Sequence, residues 1–273
     1  MIASMETQII FEDEDLLVLD KPAGMIVNKS DTTKGETTLQ DFVEQYLKIP
    51  NSKSQVPNKL QIQKNNDQNS FEFRNSDFEF RNRAGIVHRL DKETSGIILV
   101  AKNVESFVNL QAQFKERKVK KTYIALAHGK IEPQIGEINV AVGRLPWNRK
   151  RFGVIAEGRE SVTKYKILGY YDTKILGENG GTLVELYPKT GRTHQIRVHL
   201  QYIKHPIFSD PLYGGRKTSR SDRKLLPRVF LHASKISFAH PASPAGGPKT
   251  SQLLSFESPL PSDLQTFISK LNS

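Results

Sequence analysis

The sequence predicts an α+β fold: a largely antiparallel or mixed β-sheet with flanking helices. Three observations carry that expectation. Strand-like segments outnumber helical ones, the regular β-α-β alternation of a doubly wound fold is missing, and no Gly-rich phosphate loop of the Walker or dinucleotide type follows a strand. The 273 residues are 37% hydrophobic, enough for a sizeable core, and a single domain over 1–273 is the expectation.

The chain opens on a hairpin: QIIF from residue 8, a turn at EDED, then LLVLD, closed by the turn formers KPAG. Leu39, Phe42, Val43, Tyr46 and Leu47 fall at i, i+3, i+4, i+7 and i+8, which predicts a helix with one buried face and Thr38 as its N-cap. Residues 51–83 differ in character. Asn, Gln and Ser fill 15 of these 33 positions, too polar to offset the entropy of ordering, so a mobile insertion within the domain is expected. FEFRN occurs there twice, at 71–75 and 78–82, and its alternation of phenylalanine with charge offers a small edge hairpin as the other reading.

Beyond the insertion, AGIV and IILVA read as strands, and Val104 to Phe114 as a helix capped by Asn103. KTYIALAHG, GEINVAVG, SVTKYKILGYY and GTLVELY read as strands. HQIRVHLQYI reads as a helix with Ile196, Leu200 and Ile203 on one side, and FLHASKISFAH as a strand. A last helix has Ser262 and Gln265 in capping-box positions, with Leu264, Phe267, Ile268 and Leu271 facing inward.

There are no cysteines, which excludes disulfides and cysteine-zinc sites and fits a reducing cytoplasm. The start, MIASMETQIIFEDEDLL, is acidic and lacks the pattern of a signal peptide, and no apolar stretch approaches the roughly 20 residues that span a bilayer. The expected protein is soluble. Its net charge of +11 attracts polyanions. Nucleic acid leads, because the alternative, an anionic membrane surface, asks for a basic helix with a wide apolar face, and none is found.

Three stretches carry chemistry. In HRLDKETSG, residues 88–96, Asp91 sits between two strands, where a carboxylate can act as nucleophile or general base. Burial would raise its pKa and a guanidinium nearby would lower it again. The plainer reading is a turn cap through Thr94 or Ser95. In PKTGRTHQIRVHL, residues 188–200, Arg192, Thr193 and His194 are placed at a helix start with Arg197 one turn in. Arginine there opposes the helix dipole, which points to an anion close by, in the protein or bound. The plainer reading is a solvated basic face. In KVKKTYIALAHGKI, residues 118–131, Tyr123 alternates with Lys118, Lys120, Lys121 and Lys130, as suits a base stacked beside a phosphate track. Otherwise Tyr123 fills the core with its hydroxyl at the rim.

IVHRLDKETSGIILVAK, KTYIALAHGKI and TGRTHQIRVHL, in this order and at these separations, resemble the signature motifs of the RluA/RluD-type RNA pseudouridine synthases. FEDEDLLVLDKPAGMIV resembles their opening hairpin, and HPIFSDPLYGG and RVFLHASKISFAHP their closing parts. The likeness covers nearly the whole chain except 51–83 and a few residues around 242–252. It implies the pseudouridine synthase catalytic fold with a central RNA-binding cleft, and an isomerase that flips a uridine out of ribosomal or transfer RNA. Asp91 matches the catalytic aspartate, attacking either the sugar or the ring. Tyr123 matches the tyrosine that stacks on the flipped base, and Arg197 the arginine that pairs with the aspartate. Arg89, with His88 beside it, and Arg192 match RNA-facing positions. Lys120, Lys121, Arg149 and Lys150 lie in basic clusters at 115–121 and 144–151 expected to meet phosphates, as does a third at 216–228. No cofactor or metal is called for, and a monomer is the default.

Many relatives carry an N-terminal S4-type module, which is expected to be absent here because the chain goes almost directly into the hairpin. The insertion has no family counterpart, and its Lys53, Lys59, Lys64, Arg74 and Arg81 are expected to be passive. Two rivals remain. One is a catalytically inactive RNA-binding or ribosome-assembly factor on the same fold. The other is a glycosidase with Glu93 as the second carboxylate. A metal pair of His194 and His199 is weaker, since a spacing of five puts them on different faces of a helix.

Overall fold

A computed structural model describes residues 7–30, 33, 35–49, 68–241 and 252–272. The chain forms two compact units. The described parts of 1–92, 98–118 and 239–254 make the first, and those of 93–97, 119–238 and 255–273 the second.

In the first unit, β1 (Gln8–Glu12) and β2 (Leu16–Lys21) form the expected antiparallel hairpin. Leu16 to Leu19 are all buried, so β2 is an interior strand rather than an amphipathic one. Helix α1 (Leu39–Tyr46) is capped as its sequence predicts. The Thr38 hydroxyl accepts from Asp41 N at 3.2 Å, and the Asp41 carboxylate accepts from Thr38 N at 2.8 Å.

Helix α2 (Gln68–Asn82) corrects the reading of the insertion: both FEFRN copies lie in one helix. The repeat spacing of seven is two helical turns, which outweighs the local two-residue alternation. Phe80 is buried in edge-to-face contact with Phe107, centroids 5.8 Å apart, and Arg81 pairs with Asp77 one turn away. Residues 51–67 of the insertion, with Lys53, Lys59 and Lys64, lie outside the described residues. Strand β3 (Ser95–Ala101) neighbours β2, and α3 (Val104–Lys115) starts at Asn103, whose side chain accepts from Ser106 N at 2.8 Å. AGIV is not a strand. Only Ile86 bridges, to Val100, because the backbone turns at Gly85 with φ +74°.

In the second unit the strands are β4 (Lys120–His128), β5 (Ile135–Asn139), β6 (Val142–Leu145), β7 (Asn148–Val154), β8 (Val162–Tyr171) and β9 (Gly181–Pro188), followed by helices α4 (Gln195–Tyr202) and α5 (Arg216–Leu225). The chain then runs through β10 (Leu231–Ala239) and β11 (Leu253–Glu257) into α6 (Ser262–Leu271). The sheet order is β3-β10-β4-β9-β8-β5, with β11 on β10 and β6-β7 a separate two-stranded sheet. The β3–β10 pairing is parallel, at Ser95↔His232 and Gly96↔Ala233, and the pairs from β10 through β5 are antiparallel, a mixed sheet as predicted. Leu264, Phe267 and Leu271 of α6 pack with Phe208, Phe230, Leu200 and Ile207 into one core.

Two elements depart from expectation here, and a third, α5, had no reading from the sequence. GEINVAVG is split between β5, whose pairing with β8 ends at Asn139↔Val162, and β6, where Val142 pairs with Val154. The capping box of α6 is not formed: Pro261, fixed in extended backbone, is the N-cap, and Ser262 is already helical. Helix α5, RKTSRSDRKL, had no visible apolar period; it buries Ser219 and Asp222 instead, and Asp222 receives the backbone N–H of Ser209 at 3.0 Å.

Candidate active site

The HRLDKETSG stretch crosses from one unit into the other, and each half is fixed within its own unit. In the first, His88 Nε2 accepts from the backbone N–H of Leu99 at 2.9 Å, so its neutral ring carries the proton on Nδ1. That ring also rests on Phe114, 4.9 Å between centroids. Arg89 is exposed, Leu90 buried and Asp91 half-buried. The backbone one residue later is held firmly: the carbonyl of Lys92 accepts from Gly24 N at 2.8 Å and from Lys21 Nζ at 3.2 Å. Lys21 is fully buried, and its ammonium also donates to the carbonyls of Pro22 (2.9 Å) and Met25 (2.8 Å). The KPAG turn, read from sequence only as a turn, therefore pins the loop that carries Asp91. Lys92 itself pairs with Glu36 at 2.6 Å.

In the second unit Glu93 is chelated. Both its oxygens accept from Arg223 at 2.9 Å, and Val229 N adds a third bond at 3.0 Å. The Ser95 hydroxyl, one of two groups offered for a turn cap by Asp91, is engaged by Arg228 Nη1 at 3.2 Å and His232 Nδ1 at 2.9 Å. Arg228 also forks onto Asp263 at 2.6 and 3.0 Å. His232 Nε2 lies 3.0 Å from the carbonyl of Ser258, so Nε2 bears the proton and Nδ1 accepts from Ser95. Gly96 is required by position: φ is +113°, and a Cβ there would lie 2.2 Å from the carbonyl oxygen of Ala233.

Strand β4 carries Tyr123, half-buried and packed against the core of the second unit, opposite Leu186 of β9. Lys120 is exposed. Lys121 donates to the carbonyl of Thr190 at 3.3 Å, and burial lowers its ammonium to about 8. It thereby ties β4 to the turn before α4.

That turn is riveted by Gln195. Its side-chain oxygen accepts from Thr190 Oγ1 (2.6 Å) and Arg192 N (3.0 Å), and its amide donates to Val162 O (3.1 Å) and Thr163 Oγ1 (3.0 Å). Helix α4 begins one residue after the left-handed His194 (φ +56°), so Arg192 precedes the helix rather than opening it. Arg192 Nε donates to Glu160 O at 3.4 Å.

Arg197 meets the anion its position predicted, and that anion is Asp210. Nε donates to Oδ2 at 2.7 Å and Nη2 to Oδ1 at 2.9 Å, with Arg197 6% exposed and Asp210 0%. Asp210 Oδ1 also accepts the N–H groups of Leu212 (2.9 Å) and Tyr213 (3.1 Å). The guanidinium lies 5.1 Å from the Tyr213 ring, whose hydroxyl reaches His194 Nδ1 at 2.9 Å. The arginine is locked in orientation. Sequence reasoning missed Asp210 and Tyr213, although Asp210 is the one carboxylate between Glu185 and Asp222.

His194, which precedes α4, and His199 within it face different surroundings. His194 faces Phe152 and Tyr213, whereas His199 is fully buried and driven by burial to a pKa of about 4, hence neutral. Arg149 and Lys150 are exposed on β7.

The sequence pattern of the RNA pseudouridylate synthase family matches residues 15–202. The chain is 35% identical over 269 residues to the ribosomal large subunit pseudouridine synthase D of Nitrosomonas europaea, covering 97% of this chain and 65% of that protein. The protein of the same name in Pseudomonas aeruginosa is 34% identical, covering 98% and 72%. The chain thus spans slightly under two thirds of the Nitrosomonas relative and 62% of one in Neisseria meningitidis. Its fold is that of human RNA pseudouridylate synthase domain containing 1, with TM-score 0.64 and 22% identity over 99% of this chain and 96% of that one.

Proposed function

The chain belongs to the RNA pseudouridylate synthase family, and on that premise we propose that it isomerises uridine to pseudouridine in structured RNA. Ribosomal RNA is the first choice of substrate, because relatives at 34–35% identity are named for the large ribosomal subunit; transfer RNA is the second. The target uridine is flipped out of its stack, at a cost of a few kcal/mol that basic side chains offset through phosphate contacts. The N1–C1′ bond breaks, the ring turns, a C5–C1′ bond forms, C5 loses its proton and N1 gains one. Mass is unchanged.

In this reading Asp91 is the carboxylate that attacks the nucleoside. Tyr123 stacks on the displaced ring and assists at C5. Arg197 is the fixed cation of the site, oriented by its fork onto Asp210. Arg89, Arg192, Lys120, Lys121, Arg149 and Lys150 meet the RNA, and His88 acts by holding the loop. The observation that carries the reading is the fixing of the chain immediately after Asp91. The Lys92 carbonyl is held by Lys21 and Gly24, and Glu93 by Arg223 and Val229. Such a loop offers a reactive group with little freedom. The chelation of Glu93 also weighs against the glycosidase rival, which needs a second carboxylate available to the sugar.

The test is to incubate the protein with total RNA from cells lacking it and map new pseudouridines by carbodiimide-dependent reverse-transcription stops. New stops at one or a few loop uridines, lost with Asp91→Ala, support the proposal. RNA binding without stops would favour the inactive RNA-binding factor, and release of free uracil the hydrolase.

A further inference from the structure

We propose that the tip of the β6–β7 hairpin is a specificity element for unpaired RNA, with Trp147 as a stacking platform for a nucleobase and Arg149 and Lys150 as its phosphate contacts. This rests on the RNA reading above. Trp147 is the chain's only tryptophan, and it is 78% exposed. Leu145 pairs with Asn148, so Pro146 and Trp147 are the two residues of the turn itself. Two-residue hairpin turns ordinarily carry Asn, Asp or Gly, because small residues suit their backbone. Here the ring of proline restricts the first position, and the largest apolar side chain is displayed at the second.

An indole in that place is left mostly in solvent. What surrounds it is cationic: Arg144, Arg149, Lys150 and Arg151 lie within eight residues, and no acid occurs from Ile138 to Ala156. An aromatic face flanked by lysine and arginine complements a base and its phosphates, and a base can reach it only where the RNA is unpaired. The chemistry selects a loop or bulge over a continuous duplex.

The base of the hairpin is anchored and its tip is exposed. Arg144 Nη1 donates to the Arg149 carbonyl at 2.6 Å, and its guanidinium lies 5.0 Å from the Phe152 ring. Phe152 N donates to the Tyr213 hydroxyl at 3.0 Å, and Arg151 donates to the carbonyl of Leu212, with its guanidinium 5.4 Å from the Tyr213 ring. Tyr213 is the ring that Arg197 stacks on. The platform is thus mounted on the scaffold of the buried arginine, which fixes its direction and lowers the entropy lost on binding.

With a single tryptophan, intrinsic fluorescence of the full chain reports Trp147 alone. The experiment titrates the protein with an RNA stem-loop and with a blunt RNA duplex of equal length, and measures pseudouridine formation in parallel. The stem-loop is expected to quench the emission and the duplex to leave it nearly unchanged. Trp147→Ala should weaken stem-loop binding about 10-fold and Trp147→Phe much less, as stacking requires. Trp147→Ala should raise KM with kcat within about 2-fold, and Arg149→Ala with Lys150→Ala should lower the salt slope by roughly two. Emission unmoved by saturating stem-loop, or a Trp147→Ala protein that binds and modifies RNA like the parent, overturns the inference while leaving the activity intact. Quenching without pseudouridine formation upholds the platform and removes the activity instead. A concentration-dependent dimer abolished by Trp147→Ala, with no response to RNA, assigns the indole to self-association and overturns the proposal.

Discussion

Asp210→Asn probes the buried pair that orients Arg197. The amide can keep an oxygen in the place of Oδ1, where it still accepts from Leu212 N, Tyr213 N and Arg197 Nη2. It then turns its NH2 group toward Arg197 Nε, where Oδ2 had accepted at 2.7 Å, so donor meets donor. The arginine, 6% exposed, has lost its neutralising charge. Breaking a buried pair in this way costs about 3–5 kcal/mol, and the surviving bonds place this variant near the lower end. At roughly 2–4 °C per kcal/mol for a domain of this size, thermal unfolding followed by circular dichroism should move down by about 6–12 °C. Turnover at a temperature well below both transitions should fall about 100-fold, since a displaced guanidinium misplaces the reacting groups. Replacing both partners, Arg197→Met with Asp210→Leu, should recover most of the stability and none of the activity. A melting temperature within about 2 °C of the parent, or full turnover in a destabilised Asp210→Asn, would refute this account of Arg197.

Two further expectations concern single residues. Lys121 titrates near 8 when folded and near 10.5 when unfolded, so above pH 8 the unfolded chain binds more protons and stability contributed at this site rises with pH. Its attraction for RNA phosphate runs the opposite way: the RNA Kd should weaken several-fold from pH 7 to 9, and Lys121→Arg should remove that step because arginine stays charged. Gly96→Ala should prevent folding or strongly lower the melting temperature, because its Cβ would meet the Ala233 carbonyl at 2.2 Å. Gly169→Ala, with no atom within 4 Å, should stay within about 0.5 kcal/mol of the parent by denaturant titration.

What was legible in the sequence was what repeats locally. The apolar run Leu16–Leu19, the Thr38 and Asn103 caps and the alternation in β9 each announce their element within a few residues. Misreadings arose where two periods compete or where polar contacts replace apolar ones. FEFRN satisfies an alternation of two and a repeat of seven, and the helix won because Phe80 finds Phe107. Helix α5 has no apolar stripe to read; its inward face is Asp222 accepting a backbone N–H. Of the residues proposed for the site, Asp91, Tyr123 and Arg197 were visible as charge or aromaticity out of place. Their supports were not, because Asp210 lies 13 positions from Arg197 and Arg223 lies 130 from Glu93. Long-range polar pairing leaves no periodicity.

The central claim is that the side chain at position 91 performs the chemistry rather than shaping the loop. The direct measurement is tritium release from an RNA labelled at uridine C5, comparing the parent with Asp91→Asn at equal RNA occupancy, a substitution that keeps the side chain's size and removes its charge. The account predicts that the parent liberates tritium and that Asp91→Asn binds RNA comparably yet liberates none above background. Release by Asp91→Asn at a rate like the parent's would contradict it.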